Sequence, residues 1–248
     1  MQRIGIIGGS GLDNPAIFSD PKDIDVKTPW GALESPVKAG HIGAKDVFMI
    51  ARHGREHTVP PSGVNNRAHI DAFRQLECDC ILATTAVGSL KLEIERGHLV
   101  VLDQFIDFTR HRPITFHETF EPHAPVHTPM ADPFDESLRR KLIAHCEALG
   151  IDHHPRGTVV TIEGTRFSTR AESNMFRAWG ADVINMSTAP EAILANEAGI
   201  PYAAVAMSTD YDCWKTDEEP VTWEEILRIF GANAEKVTKL LLETIESL

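Results

Sequence analysis

Seven β-rich, largely apolar runs lie along the chain, and each closes on turn or polar residues. They are "RIGIIGG" (3–9), "DVFMIARHG" (46–54), "CILATTAVGS" (80–89), "HLVVLDQFID" (98–107), "GTVVTIEG" (157–164), "ADVINMS" (181–187) and "YAAVAMSTD" (202–210). The central runs are almost continuously apolar, as strands covered on both faces are. Between them the apolar spacing lengthens to three and four. "NNRAHIDAFRQLE" (65–77) turns Ala68, Phe73 and Leu76 toward one side. "DESLRRKLIAHCEALG" (135–150) sets Leu138, Leu142, Cys146 and Leu149 at helical steps, and Gly150 suits the position past the end. "TAPEAILANEAG" (188–199) has Pro190 near its first turn and Gly199 just past its end. A last helix is predicted from about Thr222 to Ser247. Thr222 and Glu225 form a capping-box pattern there, and Gly231 weakens the middle. Its apolar side comes from Ile226, Leu227, Ile229, Phe230, Val237, Leu240, Leu241 and Ile245. The pattern predicts an α/β fold, a sheet with helices on both faces. Region 108–134 breaks it with five prolines and four histidines. Such a long irregular excursion serves a site or a subunit contact.

Composition narrows the class. The 248 residues, 42% of them hydrophobic, suit one domain over 1–248 with one substantial core. No run approaches the roughly 18–20 apolar residues that span a bilayer. No basic segment precedes a long apolar one at the N-terminus, so a cytoplasmic protein without membrane contact is expected. The formal net charge of −12 disfavours a nucleic-acid surface, which needs a positive patch. A small anion held by one arginine and backbone N–H groups stays compatible with it. Cys78 and Cys80 enter a strand, where alternation puts both on one face. With Cys146 and Cys213 they read as ordinary thiols of a reducing compartment, a disulfide being the minority reading.

"IGIIGGSGL" (4–12) places four glycines behind the first strand. A dinucleotide fingerprint needs G-x-G-x-x-G opening a helix. From Gly9 and Gly11 the third position is Asn14, and three prolines follow without helical period, so NAD is disfavoured. No Walker lysine follows either. Two readings stay even: a bare turn of close-packed backbone, or a nest for one phosphate in which Ser10 adds a hydroxyl. Other strand ends shift that balance. Arg52 offers a bidentate fork for oxyanions. Thr85 closes "ATT", and Ser187 lies near a helix start, where free N–H groups attract anions. One strand-end Ser or Thr is usually a helix cap, but four polar turns, one of them holding an arginine, resemble an oxyanion site. Asp210 and Asp212 are two apart at the end of the last strand. They cap a turn, or they read a purine base by accepting from its exocyclic amine and giving a proton to N7. Metal or glycosidase chemistry fits such a pair less well, because no compact acidic cluster joins it. His53 and His57 as a zinc pair is weaker still, since glycine and proline around them argue for a loop.

"GIIGGSGL", "TPWG", "ARHGREHTVPPSGVN", "TTAVGSL", "DQFID", "TIEGTRFSTRAE", "GADVINMSTAPEAILANEAG" and "TDYDCW" occur in this order. Together, over about residues 3–245, they resemble the 5′-methylthioadenosine phosphorylases of the trimeric purine nucleoside phosphorylase superfamily. The resemblance implies a single α/β domain around a mixed, distorted sheet. It implies phosphorolysis of an N-glycosidic bond, giving adenine and 5-methylthioribose 1-phosphate, the alternative being a methylthioinosine phosphorylase or a broad-specificity purine nucleoside phosphorylase. No cofactor and no metal are implied, since inorganic phosphate is a co-substrate. By similarity the phosphate contacts fall on Ser10, Arg52, His53, Thr85, Ala86 and Ser187. Many relatives have Thr where this chain has Ser10 and Ser187, and both residues keep the hydroxyl. Phe167 would stack on the base, Met186 would back it and touch the ribose, and Asp210 and Asp212 would read the purine. Asp210, Ser187 and Arg52 would be the catalytic set. Ser168 and Trp223 match positions linked to selectivity. His57 matches a pocket wall, and His127 matches a residue lent by a neighbouring subunit of a trimer, which can double to a hexamer. Two departures stand out. The family's fullest matches carry a further C-terminal segment that caps the 5′ pocket, whereas this sequence ends at Leu248, which implies a more open pocket. Trp223 replaces a smaller aliphatic residue and either walls the thioether end, the reading favoured here, or packs plainly at the first turn of the last helix.

Overall fold

In the computed structural model, which describes residues 2–8, 17–217 and 223–248 (the side chains of 223–228, 230 and 232 excepted), the apolar runs join one mixed sheet. Among the described residues it has eleven strands. They are β1 (Arg3–Gly8), β2 (Ser19–Ile24), β3 (Val37–Ile42), β4 (Lys45–Ala51), β5 (Cys80–Ser89), β6 (Leu99–Val101), β7 (Gln104–Phe108), β8 (His153–His154), β9 (Thr158–Ile162), β10 (Val183–Asn185) and β11 (Tyr202–Tyr211). Five α-helices among the described residues accompany them: α1 (Asn66–Gln75), α2 (Glu136–Ala148), α3 (Arg170–Ala178), α4 (Thr188–Glu197) and α5 (Trp223–Ser247). The main path runs β2-β3-β4-β1-β5-β10-β9-β7, with β11 also on β5, then β6 and β8 beyond it.

Both faces of the sheet are covered, as the continuous apolar runs predict. Ile7 and Ile81 pack with Phe73 of α1 and Leu194 of α4. Their strand neighbours Ile6 and Leu82 pack on the other face with Leu142 of α2 and Leu240 of α5. A third cluster joins Phe176 of α3 to Val160 and Ile184. No helix among the described residues is long and apolar enough to cross a membrane.

The strand that decides the architecture is β5. Along one edge it pairs in parallel with β11 from Ile81 to Ser89. Its other edge is shared. β1 runs parallel to Cys80–Ala83, and β10 arrives antiparallel at Gly88–Ser89. Among the described residues no strand pairs with Thr84–Val87 on that edge, so the sheet opens there.

Several expectations need correction. The predicted strand at 98–107 is two strands: β6 joins β11 and β7 joins β9. Between them the Asp103 carboxylate accepts from Gly157 N at 2.9 Å and diverts the chain. Cys78 and Cys80 pack on opposite faces, because β5 begins only at Cys80 and Cys78 still bonds back to Phe73 O of α1. All four cysteines are free. Burial pushes the Cys78, Cys80 and Cys146 thiols up to about 12. α5 runs unbroken through Gly231, while the capping residue Thr222 lies outside the described residues. β2, β3, β8 and α3 carry no counterpart among the predicted elements.

Candidate active site

The opening beside Thr84–Val87 is where strand ends meet. β4 delivers Arg52 and His53, β10 delivers Met186 and Ser187, and β11 delivers Asp210. β1 brings Gly8 alongside, since Ile7 pairs with Ala83. A cavity of about 410 Å³ occupies the opening. Arg52, His53, His57, Thr85, Ala86 and Ser187 line it, and so do Phe167, Ser168, Met186, Asp210 and Asp212. Thr85 is not at a strand end as expected. It sits midway along β5, and the missing neighbour strand is what bares it. Ser10 lies outside the described residues, as does the Trp223 side chain. His127 is exposed in the long loop beside Phe120, away from the cavity lining.

A hydroxyl cluster forms where β10 meets β5. Thr85 Oγ1 and Ser187 Oγ are 3.2 Å apart. Asn185 Nδ2 donates to Thr85 Oγ1 at 3.1 Å and to Thr188 Oγ1 at 2.6 Å. Its carbonyl oxygen accepts from Thr161 Oγ1 at 2.8 Å, which fixes the amide's orientation. Ser187 is the N-cap of α4, yet its side chain makes no capping bond. The hydroxyl faces Thr85 instead. Thr161 Oγ1 takes the place of that cap, accepting from Ala189 N at 3.0 Å, so at this end of α4 it is the Ser187 hydroxyl that lines the cavity.

Arg52 is 2% exposed and held on three sides. Nε donates to Glu191 Oε1 at 2.5 Å, Nη2 to Glu191 Oε2 at 3.1 Å, and Nη1 to Thr84 O at 2.9 Å. A guanidinium has five N–H donors, so two remain beyond these three bonds. Burial works against the Arg52 charge, but the Glu191 carboxylate more than restores it and the pKa lies above its ordinary value. Tyr202 OH donates to Glu191 Oε2 at 2.8 Å. His53 Nδ1 donates to Val59 O at 2.9 Å, leaving Nε2 bare in the neutral ring. Burial, and then the Arg52 charge, lower the His53 pKa to about 4. The His53 and His57 rings stand 4.6 Å apart. Among the described residues no group of three or more His, Cys, Asp or Glu is placed to hold a metal.

The two aspartates are two residues apart at the end of β11, and a bulge just before them sets the face they take. Opposite β5, Ser208 pairs with Val87 and Asp210 with Gly88, so Thr209 is the extra residue. Thr209 Oγ1 bonds Val87 O at 3.2 Å and Asp210 Oδ1 at 2.7 Å. Ser168 Oγ lies 2.8 and 2.6 Å from the two Asp212 carboxylate oxygens and fixes that side chain. A Cβ on Gly88 would stand 3.1 Å from Ile184 and 3.6 Å from Asp210 Oδ2, so glycine keeps room between β10 and the acids. The Phe167 ring lines the cavity while 64% exposed, so an aromatic face is on offer to a planar ligand.

Sequence reasoning missed Glu191, Tyr202, Asn185 and Arg112. Arg112 is buried at the root of the long loop and bonds Met186 O and Ile162 O. An acid in the first turn of the apolar helix "TAPEAILANEAG" is the one local sign of Glu191; its partner Arg52 is 139 residues away.

Comparison with known proteins gives a consistent picture. The family model described as the phosphorylase superfamily matches residues 3–246. An S-methyl-5′-thioadenosine phosphorylase of Danio rerio is 48% identical over 99% of this chain and 89% of its own length. One of Xenopus tropicalis is 49% identical with the same coverage. A methylthioadenosine phosphorylase of Schistosoma mansoni, solved in complex with adenine, superposes with a TM-score of 0.93 at 39% identity, covering 99% of this chain and 91% of that one. A variant described as an adenosine/methylthioadenosine phosphorylase, solved with methylthioadenosine, gives 0.92 at 38% identity and the same coverage.

Proposed function

The chain belongs to the phosphorylase superfamily, and we propose that it is a single-domain S-methyl-5′-thioadenosine phosphorylase. It cleaves methylthioadenosine with inorganic phosphate, releasing adenine and 5-methylthioribose 1-phosphate, and the reaction is reversible. One observation carries the reading. The same cavity is lined by an anion site, Arg52 with Thr85 and Ser187, and by the Asp210–Asp212 pair beside an exposed aromatic ring. Phosphate is a reactant there, so the chemistry calls for no cofactor.

The chemistry follows from the donors. As the glycosidic bond breaks, the sugar becomes cationic and negative charge collects on the base. Arg52 and the two hydroxyls hold phosphate so that its charge faces the sugar cation before it attacks C1′. Ser10, His53 and Ala86 complete that end. Asp210 shares a proton with N7 through one oxygen and accepts from the 6-amino group with the other, while Asp212, steadied by Ser168, lies beside it. Phe167 stacks on the base, Met186 backs it, and Trp223 walls the 5′ end. The protein acts in the cytoplasm in purine and methionine salvage. It works as a trimer, or a trimer doubled to a hexamer, with His127 completing a neighbour's site beside His57.

The test is base release from methylthioadenosine, adenosine, inosine and methylthioinosine, each with and without phosphate. Phosphate-dependent release fastest from methylthioadenosine is expected. Fastest release from an oxo-purine nucleoside would overturn the substrate assignment.

A further inference from the structure

Glu191 is a buried charge to which the reaction gives no direct part. It is 0% exposed in the first turn of α4, and it does not line the cavity. Its carboxylate accepts two hydrogen bonds from Arg52 and one from Tyr202. A buried ion pair of this kind is weak evidence for stability, because desolvation offsets most of its Coulombic gain. Its placement behind the anion site points elsewhere.

Charge in the cavity makes the case. Among the described lining residues, Arg52 is the one arginine or lysine. His53 contributes no charge at neutral pH. The bidentate Glu191 contact cancels the Arg52 charge while leaving two of its N–H groups for a ligand. An uncompensated guanidinium would hold phosphate tightly and draw its negative charge away from the sugar. Phosphorolysis needs the opposite: an oriented phosphate whose charge still faces the forming cation.

Resting on the proposal that Arg52 holds phosphate, we infer that Glu191 is a charge-balancing positioning residue. It fixes the plane of the Arg52 guanidinium and cancels its charge, so directed N–H and O–H donors hold the phosphate, which keeps its charge for the sugar. Tyr202 holds Glu191 in that pose.

The experiment is calorimetry with inorganic phosphate alone, joined to steady-state kinetics, on the full chain and on Glu191→Gln. Glu191→Gln keeps the size and removes the charge. Phosphate is expected to bind about tenfold more tightly, kcat to fall at least about tenfold, and KM for the nucleoside to stay within about twofold. A purely structural Glu191 predicts weaker phosphate binding, so weaker or unchanged binding overturns the inference. Glu191→Asp is the companion variant, with the charge kept and the reach shortened. It is expected to lower kcat without tightening phosphate, and tightening would overturn the inference even if Glu191→Gln fails to fold. Phosphate calorimetry also separates this inference from the substrate assignment. If Glu191→Gln tightens phosphate while the unmodified protein leaves methylthioadenosine intact, the inference stands and the substrate assignment falls. If the unmodified protein binds no phosphate, both fall.

Discussion

A carboxylate at position 210 decides which purine the cavity accepts. The carboxylate oxygen that faces the 6-position accepts from an amino group, but against a 6-oxo group it sets acceptor against acceptor. Leaving a buried acceptor unpaired costs about 1–3 kcal/mol, up to roughly a hundredfold in preference. Asp210→Asn is therefore expected to shift kcat/KM toward inosine-type substrates and depress adenine release; an unchanged substrate ratio contradicts the assigned role. His53 gives a test in pH. Its folded pKa is about 4, below the ordinary 6.5, because burial and Arg52 disfavour the charged ring. Between these values the unfolded chain binds a proton that the folded chain does not, so stability falls as pH drops from about 6.5 to about 4. Denaturant midpoints for the unmodified protein and His53→Asn should converge across that window as pH falls; parallel curves would contradict the buried neutral ring. Arg52, Asp210 and Ser187 were legible because each stands beside an apolar run, where a polar residue is conspicuous. Glu191 was not, because its meaning depends on a partner on another strand. Thr85 was legible as a site residue for the wrong reason, its exposure coming from the opening beside β5 and not from a strand end.

At the scale of elements, most buried strands were read from the sequence, but the mostly buried β3 and the outer strands β2 and β8 were not. β2 is exposed, charged and carries Pro21, so nothing in "SDPKDI" has the pattern of a core strand. α3 was legible in principle. Thr169 and Glu172 form a reciprocal capping box, a short polar signature in front of a nine-residue helix. Thr169→Ala is expected to cost about 1 kcal/mol in urea unfolding and, through its neighbour Ser168, to raise KM for the nucleoside more than KM for phosphate. Equal rises in both would contradict the link between α3 and the base. The first strand carries its own constraint. A Cβ on Gly5 would stand 2.9 Å from the Phe73 ring of α1. Gly5→Ala should therefore destabilise by about 1–3 kcal/mol through overpacking, read as a lower urea midpoint. An unchanged midpoint would show that Phe73 moves aside freely.

For the whole molecule, the α/β architecture follows from the alternation of apolar runs and helical spacing, but the site's construction does not. The cavity exists because β10 approaches β5 against the direction of β1, and strand direction leaves no mark in hydrophobic periodicity. The long loop bears on assembly. It exposes Phe120 and Val126 near His127, the apolar surface that a subunit contact would cover. Sedimentation velocity is expected to return three or six times 27.4 kDa, and a fully active monomer would contradict sites completed between subunits. The account rests most heavily on a free phosphate meeting an aminopurine nucleoside in one cavity. Adenine release from methylthioadenosine, followed with and without inorganic phosphate, tests that claim directly. The account predicts release that depends on phosphate and yields 5-methylthioribose 1-phosphate; release at the same rate without phosphate, or none at all, would contradict it.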